Sequence, residues 1–275
     1  MPELPEVETI KNTLKRFLLN KTIENVSVYW SNIIKLPDDI EKFKFMLTGQ
    51  TFQNITRKGK FLLFHLDDYM LISHLRMEGK YSIDDASTPI KKHTHVIFSL
   101  NNNEELRYND VRKFGTMHVV NKGEELLNKP LNQLGPDPFD KDFTLTYFYE
   151  KLNKTDRFIK TVLLDQSIVT GLGNIYVDET LFKAGVHPLK KASRLSKKEI
   201  KGIQDQAILT LKEAVEQGGT TIKSYVNGQG EMGMFQQKLF VYGQENEPCK
   251  NCGRPIVKMK VGGRGTHVCI ACQKQ

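Results

Sequence analysis

CKNCGRPIVKMKVGGRGTHVCIAC, residues 249–272, holds all four cysteines of the 275-residue chain. Two Cys-x₂-Cys pairs stand sixteen residues apart, a spacing that turns two pairs of thiolates toward one ion. Cys249, Cys252, Cys269 and Cys272 therefore predict one tetrahedral zinc. Between the pairs, Ile256–Val261 and Thr266–Val268 read as short strands, and Gly262-Gly263-Arg264-Gly265 reads as the turn joining them. The segment is a zinc-held β-hairpin with a cation at its tip, too small to keep its shape without the metal. Four sulfur ligands leave no open position for water, so the ion is structural and a zinc-water hydrolase is disfavoured. Glycines around Arg264 permit close backbone approach, which favours a phosphate contact over a solvated arginine.

Upstream of this module the pattern is helical. Ser196 and Glu199 form a capping box, followed by Ile200, Ile203, Ala207, Ile208, Leu211, Ala214 and Val215 at helical spacing. Gly218 and Gly219 end that helix. Thr144–Leu152, Arg157–Asp165 and Asn174–Ala184 predict three shorter helices. Residues 218–237 are glycine-rich and aperiodic, so they predict a loop. Within it, Gly228-Gln-Gly230-Glu-Met-Gly233 matches a dinucleotide fingerprint only formally, because no βαβ unit surrounds it. Residues 127–139, LNKPLNQLGPDPF, carry three prolines and read as a linker. From 22 to 120 the chain alternates in strand fashion, with runs at Phe61–Leu66, Met70–Leu75, Thr94–Leu100, Glu105–Tyr108 and Met117–Val120. Val7, Ile10, Leu14, Phe17 and Leu18 predict an initial helix reaching about Leu19.

Composition narrows the partners. Forty Lys and Arg against 32 Asp and Glu give +8, and the last 35 residues alone carry +4. A basic chain without a membrane-length apolar run points to a polyanion, most simply nucleic acid. The opening MPELPEVET lacks the basic start and apolar stretch of a secretory signal, so the expected location is the cytoplasm.

That opening also carries candidate chemistry. Removal of Met1 would expose the secondary amine of Pro2, and an α-amine with an ordinary pKa near 8 is partly neutral at pH 7. Amines attack carbonyl-like carbons and form imines. Glu3 and Glu6 lie beside it at a helix start, where on these residues alone a simple helix-dipole role suffices.

The combination is more specific than any part. MPELPEVET, RKGKFLL at 57–63, NDVRKFG at 109–115, LGPDPF at 134–139, GLGNIYVDE at 171–179 and GRGTHVC at 263–269 occur in one order with the zinc spacing. Across essentially the whole chain this resembles the bacterial formamidopyrimidine-DNA glycosylases, bifunctional enzymes that remove oxidised purines. PELPE rather than PEGPE points away from the sister endonuclease VIII branch, which prefers oxidised pyrimidines.

The resemblance implies an α+β multidomain fold. A catalytic helix and β sandwich would span 1–126, a linker 127–139, a helix–two-turn–helix domain 140–237 with a lesion-recognition loop at 218–237, and the zinc hairpin 238–275. It implies Pro2 as nucleophile and Glu3 as general acid, its carboxyl biased toward the protonated form by desolvation. Glu6 would help hold the amine or damaged nucleotide, and Lys60 is the matching catalytic lysine. Arg264 would grip the phosphates flanking the lesion. His74, His93, Arg112 and Asn174 match DNA contacts, and Met77, Arg112 and Phe114 match a triad that fills the gap left by a flipped base. Met77 and Phe114 could instead be core residues, although charged neighbours favour turn tips. Asp156 departs from relatives that are more basic at this position, which weakens a phosphate contact there. The implied partner is duplex DNA carrying an oxidised purine or an abasic site, bound by a monomer associated with the nucleoid. A non-catalytic damaged-DNA binder and an oxidised-pyrimidine glycosylase are the competing readings.

Overall fold

The computed structural model describes residues 1–220 and 234–274. These form two compact units. The first comprises Met1–Pro2 and Glu6–Asn132; the second comprises Glu3–Pro5, Gln133–Thr220 and 234–274.

In the first unit, helix α1 (Leu4–Leu18) buries Val7, Ile10, Leu14 and Leu18 in one core. Nine strands follow: β1 (Ile23–Val28), β2 (Ile34–Leu36), β3 (Asn54–Lys58), β4 (Phe61–His65), β5 (Tyr69–His74), β6 (Lys80–Asp85), β7 (Thr94–Leu100), β8 (Glu104–Asn109) and β9 (Thr116–Asn121). They make a five-stranded sheet, β2-β9-β5-β4-β3, and a four-stranded sheet, β1-β7-β8-β6. Every named pairing is antiparallel except the parallel β2–β9 pair. Leu62, Phe64 and Leu71 from one sheet share a core with Val96, Phe98 and Leu106 from the other, which is the expected sandwich. Helix α2 (Ile40–Leu47) interrupts a region whose sequence reads as strands. Its signal is short but present. Asp39 caps it by accepting N–H bonds from Glu41 and Lys42, while Phe43 and Leu47 bury one face four residues apart.

The second unit is helical: α3 (Leu145–Asn153), α4 (Ile159–Leu163), α5 (Asn174–Lys183) and α6 (Lys197–Glu216). The Ser196–Glu199 capping box is present in both directions, and its apolar stripe joins the core through Ile200, Ile203, Ala207, Leu211 and Ala214. Gly218 and Gly219 adopt positive φ after the helix, and Thr220 bridges to Met234. Most of the expected recognition loop, with Thr221 and Tyr225, lies outside the described residues, as does the glycine pattern at 228–233.

The hairpin consists of β10 (Val257–Val261) and β11 (Arg264–Val268). Gly262 and Gly263, at φ of 55° and 75°, form the two-residue turn, a conformation that other residues rarely adopt. Arg264 therefore opens β11 opposite Val261 rather than sitting within a four-residue turn. Among the described residues no helix is long and apolar enough to cross a membrane.

Candidate active site

The second unit gathers its polar side chains around the start of α5. Gly173 precedes this helix and has no side chain to cap it. Glu3 fills the gap from 170 residues away. Its carboxylate accepts N–H bonds from Gly173 at 2.7 Å, Ile175 at 3.0 Å and Tyr176 at 3.4 Å. A Cβ on Gly173 would stand 2.3 Å from the Glu3 carboxyl carbon, so only glycine permits the approach. Gly171 serves the same end: at φ of 100° its carbonyl accepts the Leu4 N–H. Glu3 is buried, and three N–H donors of a helix N-terminus converge on its carboxyl oxygens. The Ile175 and Tyr176 N–H groups thus point at Glu3.

The same helix holds the hairpin. The Asn174 side-chain amide donates to the Gly265 carbonyl at 2.9 Å. Lys160 is fully buried; its Nζ is 2.6 Å from Asp178 Oδ1 and donates to the same Gly265 carbonyl at 3.0 Å. Asp178 Oδ2 accepts the His267 N–H at 2.9 Å. Burial pulls the Lys160 pKa below its usual value, against the opposing pull of Asp178 and Glu3. Glu179, also buried, accepts the N–H groups of Phe240, Val241 and Tyr242, yet burial still raises its pKa. Arg264 is exposed beside this locked backbone. Asp156 accepts a hydrogen bond from Ser193 and lies 3.7 Å from Lys191, so its charge is used locally.

The four cysteine sulfurs lie within 4.8 Å of one another, with Cys249–Cys272 at 3.9 Å and Cys252–Cys269 at 3.5 Å. Tetrahedral Zn–S bonds of ~2.3 Å set sulfurs roughly 3.8 Å apart, so the cluster fits zinc.

In the first unit Pro2, Glu6 and Lys60 are buried. Lys60 follows Gly59 in the turn from β3 to β4, and Arg57 ties that turn by donating to the Gly59 carbonyl at 2.9 Å and to Glu8 at 2.9 Å. The turn brings Lys60 beside the Phe61–His74 pair, whose rings meet edge to face at 4.5 Å. The His74 pKa falls to about 3 through burial first, then through Arg76, Lys60 and His118. His74 is therefore neutral at pH 7. Its Nδ1 accepts the Arg76 N–H at 2.8 Å, which leaves the ring proton on Nε2. Met77 is 41% exposed and Phe114 is 52% exposed, which removes both from the core. The Arg112 guanidinium lies 4.7 Å from the Phe114 ring centroid. His93 is half-buried, and its carbonyl accepts the Asp110 N–H.

Three family models match in chain order: the formamidopyrimidine-DNA glycosylase N-terminal domain over residues 1–117, the H2TH domain of the same enzymes over 134–226, and the zinc finger found in FPG and IleRS over 246–275. The formamidopyrimidine-DNA glycosylase of Oceanobacillus iheyensis is 68% identical over 99% of this chain and 98% of its own. The chain belongs to the formamidopyrimidine-DNA glycosylase family. Among solved structures, a Lactococcus lactis FPG variant bound to Fapy-dG-containing DNA is 41% identical, covers all of both chains and superposes with a TM-score of 0.94. The Lactococcus lactis protein with abasic-site DNA, also 41% identical, gives 0.93 over 99% of this chain and all of that one. The cysteine cluster is accordingly the family's structural zinc site.

Sequence reasoning missed Lys160, Asp178, Glu179, Tyr108 and Asp110. The first three sit in helical runs where charges normally mark a solvated face. Their only local signal is that Lys160 lies between Ile159 and Thr161-Val162, and the Asp178-Glu179 pair between Val177 and Thr180-Leu181.

Two predictions follow from this geometry. Chelation of zinc should release the hairpin and abolish binding to lesion DNA, measured by fluorescence anisotropy, with recovery on adding zinc back; unchanged affinity in metal-free protein contradicts it. A histidine whose folded pKa is depressed costs stability as pH falls below its unfolded value of about 6.5. Urea unfolding should therefore show a less stable protein at pH 5 than at pH 7, with a smaller loss in His74→Gln. An unaltered pH dependence in that variant contradicts the assignment.

Proposed function

We propose that this chain excises oxidised purines such as 8-oxoguanine and formamidopyrimidines from duplex DNA and then cleaves the strand through an imine at the Pro2 nitrogen. The observation that carries the reading is the Glu3 carboxylate at the start of α5. It holds a proton-transfer group next in the chain to the only secondary amine that the N-terminus can offer.

In this mechanism Met1 is removed and the Pro2 amine attacks C1′ of the damaged nucleotide as the N-glycosidic bond breaks. The base leaves with its bonding pair and takes up a proton. Nitrogen then loses its own proton as the C1′–N double bond forms and the sugar ring opens. Glu3 relays that proton to the ring oxygen. The iminium acidifies the C2′ proton, so the 3′ phosphate departs by β-elimination and the 5′ phosphate by δ-elimination. Water hydrolyses the remaining imine and frees the amine.

The other groups bind and orient. Lys60 supplies positive charge to the lesion phosphate, and neutral His74 donates from Nε2. Arg264 grips the flanking phosphates from the hairpin, and Glu6 helps hold the damaged nucleotide. Asn174 fixes the hairpin through Gly265 while lying at the DNA face. His93 and Arg112 contact DNA, and Met77, Arg112 and Phe114 enter the gap left by the extruded base. The zinc ion supplies folding energy alone. Function divides along the chain: a catalytic helix and β sandwich in 1–126, a linker at 127–139, a helix–two-turn–helix domain in 140–237 with lesion recognition at 218–237, and phosphate grip in 238–275. The chain acts as a monomer in the cytoplasm, on the nucleoid.

Borohydride trapping tests this. With duplex DNA containing one 8-oxoguanine opposite cytosine, a covalent adduct should form and map by mass spectrometry to the Pro2 nitrogen. Tight lesion binding without an adduct would leave a recognition protein, and preferential excision of dihydrouracil would move the substrate to pyrimidines.

A further inference from the structure

The two turns bearing Met77 and Arg112–Phe114 close on one buried hydroxyl. Strands β6 and β8 pair in register, with Tyr81 opposite Tyr108 and Lys80 opposite Asn109. The chain on either side, Leu75–Gly79 and Asp110–Gly115, therefore emerges at one end of the sheet. Tyr108 is fully buried and its ring meets Tyr81 edge to face at 5.1 Å. A Cβ on Gly79 would lie 2.2 Å from the Tyr108 hydroxyl oxygen, and a Cβ on Gly115 only 1.7 Å from it. Both turns thus rest against the same atom.

Asp110, 1% exposed, organises the second turn from inside. Its carboxylate accepts the N–H groups of Arg112 at 3.0 Å, Phe114 at 2.9 Å and Gly115 at 2.8 Å, and lies 3.4 Å from the Tyr108 hydroxyl. His95 Nε2 donates to the Asp110 carbonyl at 2.8 Å. The first turn is closed by Gly79 N–H donating to the Leu75 carbonyl at 2.9 Å. Each turn also holds one non-glycine residue in the left-handed region, Arg76 at φ 53° and Lys113 at φ 59°. Such conformations persist where surroundings over-determine them. Buried as they are, Tyr108 and Asp110 have no access to DNA.

We infer that Tyr108 and Asp110 are positioning residues: a buried hub that presets both turns, so that Met77, Arg112 and Phe114 enter the duplex as one rigid wedge. The inference rests on the proposed insertion role of those three side chains. A wedge ordered before binding loses little freedom on insertion, which helps expel a base that is still paired. A substrate with no base to expel depends on the wedge far less.

Gly115→Ala and Asp110→Asn disturb the hub without touching an inserted side chain. Asp110→Asn turns an amide donor or loses an acceptor where three N–H groups converge. Tyr108→Phe deletes one oxygen and is the variant least able to harm folding. Single-turnover excision of 8-oxoguanine opposite cytosine would be compared with cleavage of a single-stranded abasic site. A 2-aminopurine beside the lesion would report unstacking by fluorescence.

Asp110→Asn should slow paired excision about tenfold or more, as expected for losing hydrogen bonds to a buried charge, and Gly115→Ala should do likewise because its Cβ displaces the turn from the Tyr108 hydroxyl. The fluorescence rise should shrink in parallel, while abasic cleavage should change little. Tyr108→Phe should restore part of the loss in the Gly115→Ala background, because it removes the atom that the new Cβ meets first. Equal losses on both substrates, or no loss in Asp110→Asn and Tyr108→Phe, overturn the hub. The Met77→Ala/Phe114→Ala pair separates the two levels. If that pair excises normally, the insertion reading falls and the hub with it; if it fails while the hub variants excise normally, the hub alone falls.

Discussion

The Glu3 carboxylate on the first amides of α5 is the constraint from which the second unit's polar architecture follows. A helix start leaves several N–H groups without partners, and Gly173 offers no side chain to satisfy them. A carboxylate there gains from direct hydrogen bonds and from the helix dipole, together about 2 kcal/mol at the favourable, buried end. That gain fixes the chain's third residue against its 173rd. The requirement for close approach makes Gly173 obligatory, and the positive φ of Gly171 lets its carbonyl take the Leu4 N–H.

From the same helix, Asn174, Asp178 and Glu179 each reach a different backbone segment: Gly265, His267 and residues 240–242. One helix therefore sets Glu3 and the Arg264 hairpin with a single rigid body. Lys160 completes the arrangement. A buried lysine of this kind is stable only because Asp178 pairs with it and Gly265 accepts from it. In the first unit the electrostatics run differently. Burial first, then Arg76 and Lys60, keep His74 neutral with its proton on Nε2, so positive charge is concentrated on lysine and arginine.

Legibility in the sequence followed the range of the interaction. The zinc hairpin and the α6 capping box were readable because their partners lie within one short segment. Helix α2 was hidden by its two-turn length among strands. Met77 and Phe114 were chemically ambiguous, since apolar side chains suit both core and wedge, and only their exposure separates the two. Glu3 was singled out but its partners were not, because the N–H donors that meet its carboxyl group lie 170 or more residues further along the chain. Lys160 and Asp178 share that difficulty: their partners are set by tertiary structure, and a charged residue in a helix reads as solvated.

The central claim is that the start of α5 holds Glu3 for chemistry as well as for folding. Gly173→Ala tests it most directly, since the added Cβ would meet the Glu3 carboxyl carbon at 2.3 Å. The measurement is the single-turnover rate of 8-oxoguanine excision in that variant, read beside its thermal midpoint and its affinity for lesion DNA. The account predicts a large fall in excision with a modest fall in midpoint and retained DNA affinity. Wild-type excision in a folded Gly173→Ala protein would contradict it.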